Sequence, residues 1–298
     1  MILAALAALA ALTTLAAASA EATPAQVKPG DVVLLTVHGV ATAPAGTLTG
    51  RPLRFFAAGQ GTWQAFAPLP IEAEPGASPL ALDADGAPLP VALEVASPAF
   101  RTTRLSVDPK FLTPPASVRR RIKADQAALD LAYAQPFGPP RFGRPFAWPL
   151  EAERSSRYGD QRTYNGKTSG VHYGLDLAAA RGTTIRAAQD GVVVLVRDCY
   201  YLGNTVVVSH GAGLFTSYLH QARTLVKVGQ RVAQGQPLGL VGSTGRSTGP
   251  HLHWGVKVDG LWVDPEGLLR IPWGEGAAAS AEPEGALPGT PAVAPPPP

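Results

Sequence analysis

The chain has a single cysteine, Cys199, among 298 residues, which excludes a disulfide framework and a cysteine-based metal cluster. Cys199 follows the strand-like run Gly191–Val196 and reads as a buried structural thiol. Charge is also scarce. Asp, Glu, Lys and Arg make up 16% of the residues, with a net charge of +3 and a pI near 9.1. That weakly basic balance suits an anionic polymer such as a cell wall. Nucleic acid is a poor alternative partner, because no binding motif is present and the one dense basic run, Arg119-Arg120-Arg121, lies in a helix-like segment. Lysine and arginine are missing ahead of the apolar run Met1–Ala17, where an export leader usually carries one. The run is otherwise leader-like, and Ala18-Ser19-Ala20 has the small residues of a cleavage site. Residues 1–20 are expected to be a signal peptide, or an anchor if uncut. The protein is then exported to the periplasm or cell envelope, or released. No other stretch is apolar and long enough to span a bilayer.

The rest of the chain reads as mainly β. Residues 27–108 show short strands broken by Gly and Pro, clearest at Val32–Val37, Leu53–Phe56, Trp63–Phe66 and Val91–Val95, the pattern of a small β-sandwich accessory domain. Residues 109–144 form a linker. Within it Ser117 is placed to cap a helix running to Tyr133 that bridges the two domains, with Val118, Ile122, Leu129 and Ala132 on its apolar stripe. Residues 145–273 form a second β-rich unit with strands at Gly191–Val196, Thr205–Ser209, Leu214–Leu219 and Leu252–Val258. Gly203-Asn204 and Gly211-Ala212-Gly213 supply turns between them. Residues 274–298 are Gly, Ala, Pro and Glu with almost no large apolar side chain, a composition expected to stay disordered.

Five of the six histidines lie between positions 172 and 253. His172 and Asp176 are four apart around Gly174, and on a strand both point to one face. An imidazole and a carboxylate so placed can close on one zinc ion. His251 and His253 are two apart and also share a strand face, so one can bind the metal while the other points beside it at a metal-activated water. His220 ends a strand and has no ligand spacing of its own, which suits it to order that water, take its proton or stabilise an oxyanion. Zinc would acidify the water and polarise a scissile carbonyl. The Gly-rich loop Gly242–Pro250 leads into His251, and Thr248 within it is a candidate substrate contact. Arg162, Tyr164 and Asn165 in the loop Asp160–Ser169 are further candidates. His210 reads as structural and His38 as a surface or turn residue.

Over about residues 146–266 the sequence resembles the lysostaphin-type, or LytM-like, zinc metallopeptidases. The resemblance rests on Phe146-Ala147-Trp148-Pro149, Ser156-Arg157-Tyr158-Gly159, His172-Tyr173-Gly174-Leu175-Asp176-Leu177, His210-Gly211 and Tyr218-Leu219-His220. Its most specific block is Gly242 through His253. It implies His172, Asp176 and His253 as ligands of one Zn2+ per catalytic domain, with His220 and His251 as catalytic residues. It also implies an antiparallel β-sheet with zinc at the floor of a substrate groove. The implied activity is endopeptidase cleavage of peptide cross-links in bacterial peptidoglycan by a monomer, with a covering, autoinhibitory contact expected from the first domain or from residues 109–144. Many members of that family carry an aromatic residue and then Glu after the last ligand, where this chain has Trp254-Gly255. Two other functions compete: a non-catalytic wall-binding or regulatory protein acting on other wall hydrolases, and a zinc peptidase acting on a protein outside the wall.

Overall fold

The computed structural model describes residues 17–77, 80–166 and 168–273, so most of the expected leader and the whole tail 274–298 lie outside the described residues. The architecture is mainly β: three small sheets in the N-terminal part, one linking helix, and C-terminal sheets that carry the histidines.

Val32–His38 is the central N-terminal strand. It pairs antiparallel with Ser19–Thr23 on one side and Thr62–Pro68 on the other, and the latter pairs with Phe56–Gly59. Ser19 and Ala20, the last residues of the expected leader, are themselves in register with His38 and Val37. Alternation along the central strand sends Val33, Leu35 and Val37 into a core with Val27, Leu48, Leu69 and Leu82. Val32 and Leu34 enter a second core, shared with Phe66, Phe142, Phe146 and Trp273. A strand buried on both faces reads as an unbroken apolar run, as this one does. The N-terminal sheets therefore share a core with the C-terminal part. Phe66 stacks on Trp273 with centroids 5.5 Å apart, and Arg270 pairs with the buried Asp31 at 2.9 Å.

Two expected strands are corrected. Leu53–Phe56 is a strand only at its last residue: Arg51–Pro52 and Phe56–Gly59 lie on either side of a gap at 53–55, and Pro52 lacks the N–H a continuous ladder needs. Val91–Val95 shrinks to Glu94–Val95, which pairs parallel with Gln26–Val27, because Pro88 and Pro90 break the approach.

The linking helix spans Arg119–Tyr133 and is entered through a 3-10 turn at Ala116–Val118. Ser117 lies inside that turn and is not the cap; Val118 holds the cap position without a side-chain hydrogen bond. The helix links the N-terminal sheets to the C-terminal ones in chain order and lies against the C-terminal sheet. It packs Ala128, Leu129 and Ala132 on Leu195, Val207 and Phe215 of the C-terminal sheet. Its buried Asp125 accepts hydrogen bonds from Arg197 Nε at 2.7 Å and from the Tyr200 amide at 2.8 Å.

The large C-terminal sheet runs in the order Glu153–Ser156, Leu175–Ala178, His251–Val258, Leu214–Gln221, Gly203–Ser209, Gly191–Cys199 and Arg231–Val232, all antiparallel. Gly203 and Asn204 begin a strand rather than forming a turn. Cys199 is buried, and burial pushes its thiol up to about 11. The segment expected as an open loop is a hairpin: Gln161–Tyr164 pairs with Thr168–Val171 around Asn165 and Gly166, both at positive φ. Thr102–Leu105, from the expected first domain, adds to this hairpin in parallel register.

Candidate metal centre and groove

Three strands bring the polar side chains together. Asp176 sits directly opposite His253 in the antiparallel ladder, and Leu219, the neighbour of His220, faces His253 from the other side. His172 closes the hairpin, with its amide donating to Asp160 O at 3.0 Å. His172 Nε2 lies 3.0 Å from Asp176 Oδ1 and 3.0 Å from His253 Nδ1, and those last two atoms are 2.9 Å apart. Gly174 is required for this approach, because a Cβ there would fall 2.5 Å from His253 Nε2.

The triangle fits a metal ion. His172 Nδ1 donates to Arg157 O at 2.8 Å, which leaves Nε2 as a lone pair facing the carboxylate. At most one proton, on His253 Nδ1, is then available among three acceptor atoms, and the pair His172 Nε2–Asp176 Oδ1 has none between them. A cation resolves that conflict, and two imidazoles with one carboxylate are a donor set zinc takes. Desolvation pulls the His253 imidazole down to about 4, so it is neutral near pH 7, as a ligand must be. Desolvation acts the other way on the Asp176 carboxyl, but the adjoining His172 and His253 outweigh it and hold it well below the usual carboxylate range.

His220 and His251 stand beside the triangle with ring centroids 4.9 Å apart. Each has its tautomer set by a backbone carbonyl: His220 Nδ1 donates to Thr244 O at 2.8 Å, and His251 Nδ1 donates to Gly249 O at 2.8 Å. Both therefore turn an Nε2 lone pair away from those carbonyls, and His251 Nε2 lies 3.8 Å from Asp176 Oδ1. Desolvation, helped by the neighbouring His251 and His253, pulls the His220 imidazole down to about 3. His220 has φ 59°, a left-handed conformation uncommon for a residue with a side chain.

A groove of about 590 Å³ passes over these residues. Of the four expected substrate contacts, Tyr164 and Thr248 line it directly. Arg162 also touches it, but its guanidinium is turned inward, donating to Asp176 Oδ2 at 2.5 Å and to Ser156 Oγ at 2.7 Å. Asn165 does not line it: its amide is fully engaged with the Val107 backbone, at 2.9 Å to N and 2.8 Å to O. Sequence reasoning missed Arg246, which lies over the Tyr164 and Tyr201 rings at 4.9 and 5.4 Å, and Ser156 beside the ligand histidine. Only the Gly-rich context of Arg246 hinted at the first. It also missed Thr103, Leu105 and Val107, which line the groove together with Leu129 and Tyr133 of the helix, the last two within the segment expected to cover it. His210 is fully buried between Asp190 O and Thr216 Oγ1, each at 2.7 Å, away from the metal cluster, and His38 is exposed at a strand end.

Comparison with known proteins agrees with this geometry. Residues 170–265 match the family model described as Peptidase family M23, a span that includes all five clustered residues. The chain is 45% identical over 120 residues to the peptidoglycan DD-endopeptidase ShyA of Vibrio cholerae serotype O1, covering 39% of this chain and 28% of that protein. It is 42% identical over 95 residues to the DD-carboxypeptidase/endopeptidase Mpg of Neisseria meningitidis serogroup B, covering 32% of this chain and 22% of that protein. The chain thus spans less than a third of the length of these curated relatives. A Pseudomonas aeruginosa structure described as a peptidase M23 superposes with a TM-score of 0.58 at 29% identity, over 82% of this chain and 95% of that one. With the matched segment carrying the complete His172–Asp176–His253 cluster, residues 170–265 are a peptidase family M23 domain.

Proposed function

We propose that the protein is a zinc-dependent endopeptidase that hydrolyses peptide cross-links of bacterial peptidoglycan. The observation that carries this is the meeting of the His172–Asp176–His253 triangle with two further imidazoles, His220 and His251, on the floor of one open groove. His172, Asp176 and His253 would hold the ion. Zinc held there supplies the Lewis acidity that peptide hydrolysis needs. His220 Nε2 and His251 Nε2 present two lone pairs, which accept the two protons of an attacking water and aim its oxygen at the scissile carbonyl. One of them, His251 Nε2 as the nearer to Asp176, takes the proton and passes it to the departing amine nitrogen, so the histidine ends the cycle neutral. Arg162 keeps Asp176 Oδ2 occupied, which leaves Oδ1 to the metal.

Peptidoglycan as substrate is supported by the named activities of the relatives, and the apolar start of the chain supports export to the periplasm or envelope. The covering contact expected from residues 109–144 has its counterpart in Leu129 and Tyr133, which we read as groove wall rather than plug. The regulatory alternative tolerates loss of ligands, whereas all five positions are intact here. Incubating the zinc-loaded chain with purified peptidoglycan and identifying products by mass spectrometry tests the proposal. Chelator-sensitive release of peptide cross-link fragments is expected; intact cross-links would sink it.

A further inference from the structure

The groove continues past the histidines. His251, His253, Gly255 and Lys257 share one face of the strand His251–Val258, so Lys257 stands about 13 Å beyond His253 on the groove side. Its Nζ lies 4.4 Å from the Tyr133 ring centroid and 5.2 Å from that of Trp262. Those rings meet edge to face, 5.7 Å apart. Tyr133 comes from the linking helix, and Trp262 from the returning strand, directly opposite Lys257 in register. Gly255 makes room for this cage, because a Cβ there would lie 2.6 Å from Ser217 Oγ and 3.0 Å from the Trp262 ring. Lys257, Tyr133 and Trp262 line the same cavity as His253.

The Lys257 ammonium is half-buried, yet among the described residues it forms neither an ion pair nor a hydrogen bond. The nearby carboxylate of Asp130 is exposed and accepts from Gln126 Nε2 at 2.8 Å. Aromatic faces compensate part of the charge, but no described residue accepts a hydrogen bond from its three N–H donors. A partly desolvated ammonium with free donors gains strongly from a carboxylate and little from a neutral amide.

We propose that Lys257, caged by Tyr133 and Trp262, is a carboxylate-binding subsite that takes a free carboxyl group of an extended peptide whose scissile bond lies at the histidine cluster. An extended chain covers roughly 3.3–3.6 Å per residue, so the recognised carboxylate sits about four residues from that bond. This rests on the peptidase reading and deepens it: the subsite makes the groove select acidic over amidated peptides. The helix that carries Tyr133 is held independently by Asp125 with Arg197 and by Leu129 and Ala132 on the sheet, so Lys257 is not its sole anchor.

The test uses the full zinc-loaded chain and cross-linked peptide dimers released from peptidoglycan, with their carboxylates free or converted to amides. For the free acid, Lys257→Met should raise KM about tenfold while kcat stays within about twofold. It should leave KM for the amide unchanged, and Lys257→Arg should recover most of the acid preference. Equal effects on acid and amide, or a fall in both with a lowered Tm, would make Lys257 a strut and overturn the subsite. If the wild type cleaves neither dimer, the peptidase reading fails, and equilibrium binding of the same two dimers then judges the subsite. Tighter binding of the acid that Lys257→Met abolishes supports it, and equal binding overturns it.

Discussion

Arg162 Nη2 donates to Asp176 Oδ2 at 2.5 Å, while Asp176 Oδ1 faces His172 Nε2 and His253 Nδ1 at 3.0 and 2.9 Å. One carboxylate is thus divided between a guanidinium and a metal cluster. The arginine sits on a hairpin strand buttressed by Thr102–Leu105, so a segment 59 residues upstream of that strand helps to hold the ligand geometry.

Because Arg162 orients a ligand, Arg162→Ala should weaken zinc binding by about 10–100-fold, the usual cost of losing an outer-sphere partner. Arg162→Lys should recover only part of this, since Nη2 makes both contacts, with Asp176 and Ser156, from the far end of a longer side chain whose planar fork the flexible ammonium does not reproduce. Competition against a chelator of known affinity checks both variants. Affinity equal to wild type in Arg162→Ala would remove Arg162 from this role.

His210 makes stability depend on pH. Burial lowers its folded-state pKa from 6.5 to about 4, so folding favours the neutral ring. The sign follows: this contribution is fully present above about pH 6.5 and is lost as pH falls from there through about 4, by about 3 kcal/mol at most. Urea unfolding of wild type and His210→Gln, with chelator in all samples, should show a stability gap that narrows between pH 7 and pH 4.5. A gap independent of pH would contradict the assignment.

Phe66 belongs to the N-terminal part but packs on Phe142 and Trp273. Phe66→Ala should cost about 3–5 kcal/mol and lower a single cooperative unfolding transition for the whole described chain, because the core is shared. Two separated transitions in the wild type by calorimetry would show that the parts melt independently. The same packing predicts that a fragment starting near residue 141 exposes Phe142 and Trp273 and loses stability.

The metal cluster was legible because the His-x-x-x-Asp and His-x-His spacings are local: strand alternation sends His251 and His253 to one face, and the short connection 172–174 between two strands keeps His172 beside Asp176. The Val-rich strands were legible for the same reason. Arg162 looked like a loop residue because its partner, Asp176, is reached only when the hairpin folds back, although Asn165-Gly166 carried a hairpin signal. Where the helix packs was not legible because its stripe does not say what covers it; Leu195, Val207 and Phe215 lie some 60–85 positions further along the chain. Leu53–Phe56 misled because β propensity does not choose partners: pairing with Thr47–Leu48 ends at Pro52, and pairing with Thr62–Gln64 begins only at Phe56. The parallel pairing of Thr102–Leu105 with Gln161–Tyr164 is a non-local choice that composition does not encode.

Five residues divide into metal holders and proton carriers, and one paired measurement tests that division. Zinc content and peptidoglycan cleavage should be measured on the same preparations of wild type, His172→Ala and His251→Ala. His251→Ala is predicted to keep about one zinc per chain and lose cleavage by about 10²–10⁴-fold, the range for removing a positioned acid–base group. His172→Ala is predicted to lose both. Cleavage at the wild-type rate by His251→Ala, or full zinc retention by His172→Ala, would contradict it.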